Sequence, residues 1–292
     1  MFDDVLVGVD GRPGGRDAIA LASRLRSPDG RLTLAHVHGG QLAASHAISP
    51  GVVATDREAR ETLLERELAA ADLATGAELI GIEALSPGRA LHQQAEEQGA
   101  DLIVVGSCGR GVLGRAMLGD DTRAALNGSP CAVAIARLGY AEHPTPFAKI
   151  GVGYDGSPES TMALETARTL AAPTRASVHV LEVLSLPSYA YMGVIPPITG
   201  EGIEAMLQEA NDRLRELPDV EAHAVCGLTG EELAQFGEDV DLLVVGSRGY
   251  GPLKRLVLGS TSAFLQRHAR CSLLVLPRAA LATARGADDA FS

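Results

Sequence analysis

The sequence predicts an α/β protein: two tandem, doubly wound, parallel five-stranded sheets with strand order 3-2-1-4-5 and helices on both faces. Short continuous apolar runs alternate with segments of helical period, the pattern of β-α-β units joined by right-handed crossovers. That pattern occurs twice, because Leu6 to Pro13 returns as Ile150 to Pro158 and Asp101 to Val105 returns as Asp241 to Val245. From Gly106 onward the spacing between the copies is constant, and even Cys131 and Cys271 fall at matching positions, so the chain is an internal duplication. With 292 residues, each copy is long enough to bury a core of its own.

Taken in order, Val5-Leu-Val-Gly-Val9 is a short apolar run ending at Asp10-Gly11, as expected of a strand buried on both faces. Pro13 opens a helix whose Ala18, Leu21, Ala22 and Leu25 recur at helical spacing. Asp29-Gly30 is expected to turn the chain into a second strand, Leu32 to Val37. Residues 39–50 form a loop, and Thr55 to Leu73 a charged amphipathic helix. Glu78 to Leu85 is the third strand, Arg89 to Gln98 a short helix, and Asp101 to Val105 the fourth strand, which runs into Gly106. A helix near Asp121 to Leu126 and a last strand, Ala132 to Ala136, complete the first copy.

The expected domains are residues 1–140 and 147–278, with Gly139 to Pro146 as the linker, since it holds glycine and two prolines but little apolar periodicity. In the second copy Val178 to Val183 repeats the second strand, and the loop from Ser185 to Gly200 is rich in proline and tyrosine. That loop, with Tyr189 and Tyr191, reads as a lid, an interaction surface or a plain connection. Residues 279–292 are expected to be a disordered tail.

Composition excludes several classes. Acidic residues outnumber basic ones by 37 to 25, which argues against a nucleic-acid or anionic-membrane surface. Tryptophan is absent and aromatics are few, so stacking platforms for single strands are not expected either. The four cysteines stand apart without a CxxC pair, so neither a disulfide framework nor a structural zinc site is read. No secretory signal and no apolar run of membrane-spanning length is seen, and a reducing cytoplasm fits.

Two glycine stretches carry the candidate chemistry. Gly246-Ser-Arg248-Gly249 leads through nine residues to Gly259-Ser260-Thr261-Ser262 at an expected helix start. Glycines let backbone N–H groups approach an anion, and the hydroxyls sit where a helix leaves its first N–H groups unpaired. The alternative is a tight strand-to-helix connection without a ligand. In the first copy Gly106, Gly109 and Gly119 keep the spacing, but Asp120 stands where Ser260 stands. An aspartate there accepts the free N–H groups and repels phosphate, with Arg110 or Arg115 available to offset it, so occupancy of the first site stays open. Strand order reverses between the first and fourth strands, which brings Asp10 beside Gly106 and Asp155 beside Gly246 in one crevice per copy. Both aspartates also fit a plain capping role.

Other features weigh less. Lys254 and Arg255 lie inside the second glycine stretch and either neutralise phosphate or cover a solvated face. Gly109-Arg-Gly111-Val-Leu-Gly114 matches the dinucleotide fingerprint on paper, but it follows a fourth strand and the second copy has Lys254 at the third glycine. His36 and His38 share one strand face without an acidic or cysteine partner nearby in sequence, so a structural role is expected. Cys108, without a resolving partner, reads as an inert small residue. No P-loop lysine, GxSxG elbow or HExxH helix occurs.

Each half resembles a universal stress protein domain, and the chain from Val5 to Arg278 resembles the tandem form of that family. Its nucleotide-binding members carry G-x2-G-x9-G followed by Ser or Thr, and Gly246, Gly249, Gly259 and Ser260 match this in full. The resemblance implies ATP, with Mg2+ able to accompany the phosphates, with phosphates and ribose on the glycine loop and hydroxyls and Asp155 near the adenosine. It also implies that the backbone of Val183, and of Val37 in the first copy, meets the adenine, and that the halves pair through their last strands as an internal pseudo-dimer. The expected function is a cytoplasmic, non-catalytic ATP-binding regulator of the stress response, able to form homo-oligomers and to engage a protein partner the sequence does not name. The alternatives are a slow ATPase or phosphotransferase, which would need a metal, a base and an oriented water, or a nucleotide-free interaction protein.

Overall fold

The computed structural model describes residues 1–38, 62, 69, 76–107, 127–144, 146–185, 200–247, 256 and 259–277. Among them run β1 (Phe2–Val9), α1 (Pro13–Leu25), β2 (Arg26–His38), β3 (Glu78–Glu83), α2 (Pro87–Gln98), β4 (Leu102–Gly106) and β5 (Ala132–Ala136). The second copy supplies β6 (Lys149–Tyr154), α3 (Pro158–Ala171), β7 (Ser177–Leu184), α4 (Gly200–Leu214), β8 (Glu221–Cys226), α5 (Thr229–Phe236), β9 (Leu242–Gly246), α6 (Ser260–His268) and β10 (Ser272–Leu276). Of the expected helix over 55–73, only Thr62 and Ala69 are described, both helical. The expected helix near 121–126, the tyrosine-rich loop over 186–199 and the tail lie outside the described residues.

The strands form one ten-stranded sheet in the order β3-β2-β1-β4-β5-β10-β9-β6-β7-β8. Each half has the expected 3-2-1-4-5 order, and the two five-stranded sheets are joined edge to edge. Pairing within a half is parallel, as in Val5 opposite Leu102 and Ile150 opposite Leu242. At the seam β5 and β10 run antiparallel, with Ala134 opposite Leu274. This pairing satisfies the backbone groups that two separate sheets would leave at their edges.

Because side chains alternate across a strand, each buried strand feeds both faces. Val5, Val7, Leu102, Val104 and Ala134 join Ile150, Val152, Leu242 and Leu274 in one core, under α1, α3 and Leu214 of α4. Leu6, Ile103, Val133 and Ile135 join Leu243, Leu273 and Val275 in the other, under Leu91 of α2, Leu233 of α5 and Leu265 of α6. Both cores cross the seam, so the halves share apolar burial as well as hydrogen bonds.

The duplicated aspartates before β4 and β9 latch the chain. Asp101 accepts the backbone N–H of Asp3 (2.8 Å) and Asp4 (3.1 Å), and Asp241 accepts those of Ala148 (2.8 Å) and Lys149 (2.9 Å). Each carboxylate therefore fixes the entry of the first strand beside the fourth, the arrangement on which the crevice depends.

One local expectation changes. Asp29-Gly30 does not precede the second strand but lies within it: pairing passes from Phe2 opposite Arg26 to Asp4 opposite Arg31, and the extra residues form a bulge. The bulge is tight, since a Cβ on Gly30 would meet the carbonyl oxygens of Phe2 and Asp3 at 3.0 Å. The linker, in turn, is anchored. Tyr140 and Phe147 are buried, and Asp17 of α1, also buried, accepts the backbone N–H groups of Gly139 (2.9 Å) and Ala141 (2.8 Å).

Candidate functional site

The carboxyl ends of β6, β7 and β9 open into one crevice in the second half, because the reversal of strand order lies between β6 and β9. It measures about 450 Å³, and Asp155, Val183, Gly246, Gly259, Ser260, Thr261 and Ser262 all line it. Residues far apart in sequence are thus brought together as expected. Arg248 and Gly249, with Lys254 and Arg255, lie outside the described residues.

Asp155 closes the turn before α3. Its Oδ1 accepts the backbone N–H of Ser157 at 3.1 Å and the Ser157 hydroxyl, while Ser157 caps α3 by accepting the N–H of Ser160 at 3.2 Å. The capping role is therefore real, and it fixes the carboxylate at the crevice wall instead of competing with a place there. Gly156, at φ +75°, permits the turn.

Ser260–Ser262 form the first turn of α6, whose N-cap Gly259 is extended and supplies no side-chain cap. The first N–H groups of this helix thus lack the N-cap side-chain oxygen that usually meets them, next to three hydroxyls on the same turn. Val183 and Leu181, with Leu233 and Val245, form the apolar wall.

Gly246 has a fold-based reason to be glycine that the motif alone does not disclose. A Cβ there would meet Cβ of Glu159 at 2.7 Å and its backbone carbonyl carbon and oxygen at 2.9 Å. In the first half a Cβ on Gly106 would lie 1.9 Å from the carbonyl oxygen of Gly14. The opening glycine of each motif therefore seats the first turn of α3 or α1 against the sheet, and the crevice inherits its narrow floor from that packing.

Glu159, Ser157, Ser160 and Thr229 also line the crevice and escaped the motif reading. Ser-Pro after Asp-Gly signals a helix start, which is the clue for Ser157 and Ser160. Thr229 is held by a hydroxyl contact to Ser185 at 2.6 Å, a pairing between residues 44 apart that no local pattern reveals.

The first half has its own crevice of about 580 Å³, lined by Asp10, Val37 and Gly106 together with Arg12, His36 and Ser107. Ala35 stands in its wall at the position that Leu181 occupies in the other. Asp10 accepts the N–H of Arg12 at 3.1 Å and pairs with its guanidinium at 3.3 Å, so an ion pair replaces the Ser157 contact of the second copy. Gly109, Gly119 and Asp120, on which the expected difference between the two sites rests, lie outside the described residues, as do Arg110, Arg115 and Cys108.

His36 Nδ1 lies 2.9 Å from the carbonyl oxygen of Val9; since a carbonyl only accepts, that nitrogen carries the proton. Its ring stacks on His38 with centroids 6.4 Å apart. Burial pushes the thiols of Cys131 and Cys271 up to about 12, which keeps both neutral and unreactive.

Known proteins share this architecture. The sequence profile described as the Universal stress protein family matches residues 1–137 and again 146–277. One universal stress protein of Mycobacterium tuberculosis is 33% identical over 187 residues, covering 60% of this chain and 61% of that relative, so the match spans about three fifths of its length. Another from the same organism is 26% identical over 306 residues, covering 93% of this chain and 94% of the relative. Among solved structures, a universal stress protein from Archaeoglobus fulgidus superposes with a TM-score of 0.62 at 20% identity, covering 94% of this chain and 98% of its own. A functionally unknown protein from Pseudomonas aeruginosa gives a TM-score of 0.63 at 17% identity, covering 94% and 92%. At these identities the two structures speak to the fold.

Proposed function

The chain belongs to the universal stress protein family, and on that premise we propose that it is a non-catalytic regulatory protein of the stress response that binds ATP in the crevice of its second half. The observation that carries this reading is the convergence of Asp155, Val183, Gly246 and Ser260–Ser262 on one crevice of about 450 Å³. In it the triphosphate lies along Gly246, Arg248, Gly249 and Gly259 and meets the uncapped N-terminus of α6 and its hydroxyls. The adenosine lies toward Asp155, with the base against Val183.

Magnitudes rank the contacts. A helix N-terminus contributes roughly 0.3–1 kcal/mol to an exposed anion, whereas each hydrogen bond to a charged group contributes about 1.5–3 kcal/mol. The hydroxyls therefore dominate over the dipole. Mg2+ would travel with the phosphates, since among the described residues no three His, Cys, Asp or Glu side chains gather to hold a metal. The first crevice, with Asp10, Val37, Gly106, Gly109 and Gly119, is a second nucleotide site weakened by Asp120. Cytoplasmic location, homo-oligomers and a protein partner belong to the same reading.

Calorimetric titration with ATP, together with identification of small molecules released when the purified protein is denatured, tests it. Wild type is expected to bind ATP, and Ser260→Ala with Thr261→Val to bind it about tenfold more weakly or worse. No heat with ATP and no released nucleotide would end the reading. Steady-state phosphate release that Asp155→Asn abolishes would instead make the protein an ATPase.

A further inference from the structure

A third cavity, of about 160 Å³, lies on the seam between the halves, where Arg137 and Leu138 beyond β5 face Leu265, Gln266 and Arg270 of α6 and its exit. We infer that it is a binding site for a small tetrahedral oxyanion such as inorganic phosphate or sulfate, distinct from the second crevice and bordering the first, with which it shares Ser107 and Leu138.

Its polar lining consists mostly of donors. Gln266 is 6% exposed and Ser107 3%, and among the described residues neither the Gln266 Nε2 nor the Ser107 hydroxyl has a hydrogen-bond partner. A buried amide N–H2 without an acceptor is destabilising unless something supplies one. The arginines at the mouth supply the charge. Arg270 pairs with Glu238 at 3.4 Å on the surface, where such a pair is weak and exchangeable. The Arg137 guanidinium lies over the Tyr140 ring, 5.8 Å from its centroid. Among the described residues no carboxylate lines the cavity, so an anion fits it and a cation does not. These cations also answer the partial negative charge at the C-terminal end of α6.

The duplication provides an internal control. Over this stretch the copies are 140 residues apart, so Gln266 corresponds to Leu126, Arg137 to Pro277 and Arg270 to Pro130. In sequence the three polar groups thus answer to a leucine and two prolines. Ser107, by contrast, corresponds to Ser247, whose buried hydroxyl likewise has no partner among the described residues, so Gln266 and the arginines carry the distinction. The amide and the two guanidinium groups are therefore particular to one of the two copy-related positions. Size limits the ligand: the cavity has roughly a third of the volume of the second crevice, too little for a nucleotide.

Isothermal titration of the full chain with sodium phosphate, against sodium chloride at matched ionic strength, tests the site. Wild type should show saturable binding of one phosphate per chain. Gln266→Leu, the residue its twin carries, and Arg270→Gln should each weaken it about tenfold or more, while leaving ATP titration unchanged and, in the absence of phosphate, the thermal midpoint no lower than that of wild type. Ser260→Ala with Thr261→Val should leave phosphate binding at the seam intact. No phosphate heat beyond the chloride control overturns the proposal. So does phosphate binding that survives Gln266→Leu but disappears with the Ser260 and Thr261 changes, which would put phosphate in the second crevice and favour the nucleotide reading.

Discussion

Asp17 is the residue whose role is least legible from its surroundings in sequence. It falls in a helical pattern where a single polar residue suggests a solvated face, yet it is only 2% exposed. Its carboxylate accepts the N–H groups of Gly139 and Ala141, more than 120 residues away, so the partner is set by tertiary folding. Burial raises its pKa, and this outweighs the opposing pull of the two hydrogen bonds. Because the folded-state value is raised, ionisation disfavours the folded form, and the contribution of Asp17 to stability falls as pH climbs from its ordinary range through the raised one. Asp17→Asn sets an amide N–H2 against one of the two backbone donors and should destabilise by about 1–3 kcal/mol. Urea unfolding should show that margin narrowing as the pH rises above the ordinary carboxylate range; a margin that is flat or widens would contradict the assignment. Asp155 is the opposite case: its place in the crevice was legible from Asp-Gly after an apolar strand, and its bond to Ser157 was not excluded by that reading.

Among the elements, strands buried on both faces were the most legible, since continuous apolar runs leave little choice. The fifth strand occupies Ala132–Ala136 as expected, and the fourth is shifted by one residue, to Leu102–Gly106. β2 was misread at its start because Asp-Gly is also a turn signal; the bulge at Gly30 depends on β1 lying alongside, which a single segment cannot show. The glycine motif was legible as a crevice floor, but for an incomplete reason. Helix packing against β4 and β9 already demands glycine, whatever binds above. Gly106→Ala should therefore destabilise more than Gly246→Ala, because the first brings Cβ to 1.9 Å from a backbone oxygen and the second to 2.7 Å from a side-chain carbon. Overpacking of this kind costs about 1–3 kcal/mol. Chemical denaturation of both variants checks the order, and equal or reversed losses would show that the helices yield more easily than these contacts imply.

At the scale of the molecule, duplication and strand order were legible, and so was the expectation that last strands pair. Among the described residues the sheet has its outer strands at β3 and β8, each carrying glutamate, at Glu78 and Glu83 and at Glu221, a charge that discourages further strand addition. Separating the halves would create two new edges lined by Val133, Ile135, Leu273 and Val275. Residues 1–144 and 146–277 produced separately should therefore recombine into a one-to-one complex, and each alone should self-associate through β5 or β10. Sedimentation would show this, and two halves that stay monomeric when mixed would mean that the seam does not hold without the linker. With the linker present, a tether of this length holds its two ends at an effective concentration on the order of millimolar. The seam then survives any dilution the cell imposes. If the crevices take ATP as proposed, their filling depends on how much nucleotide is present and not on how many copies of the protein there are, so the response needs no recalibration as expression rises or falls.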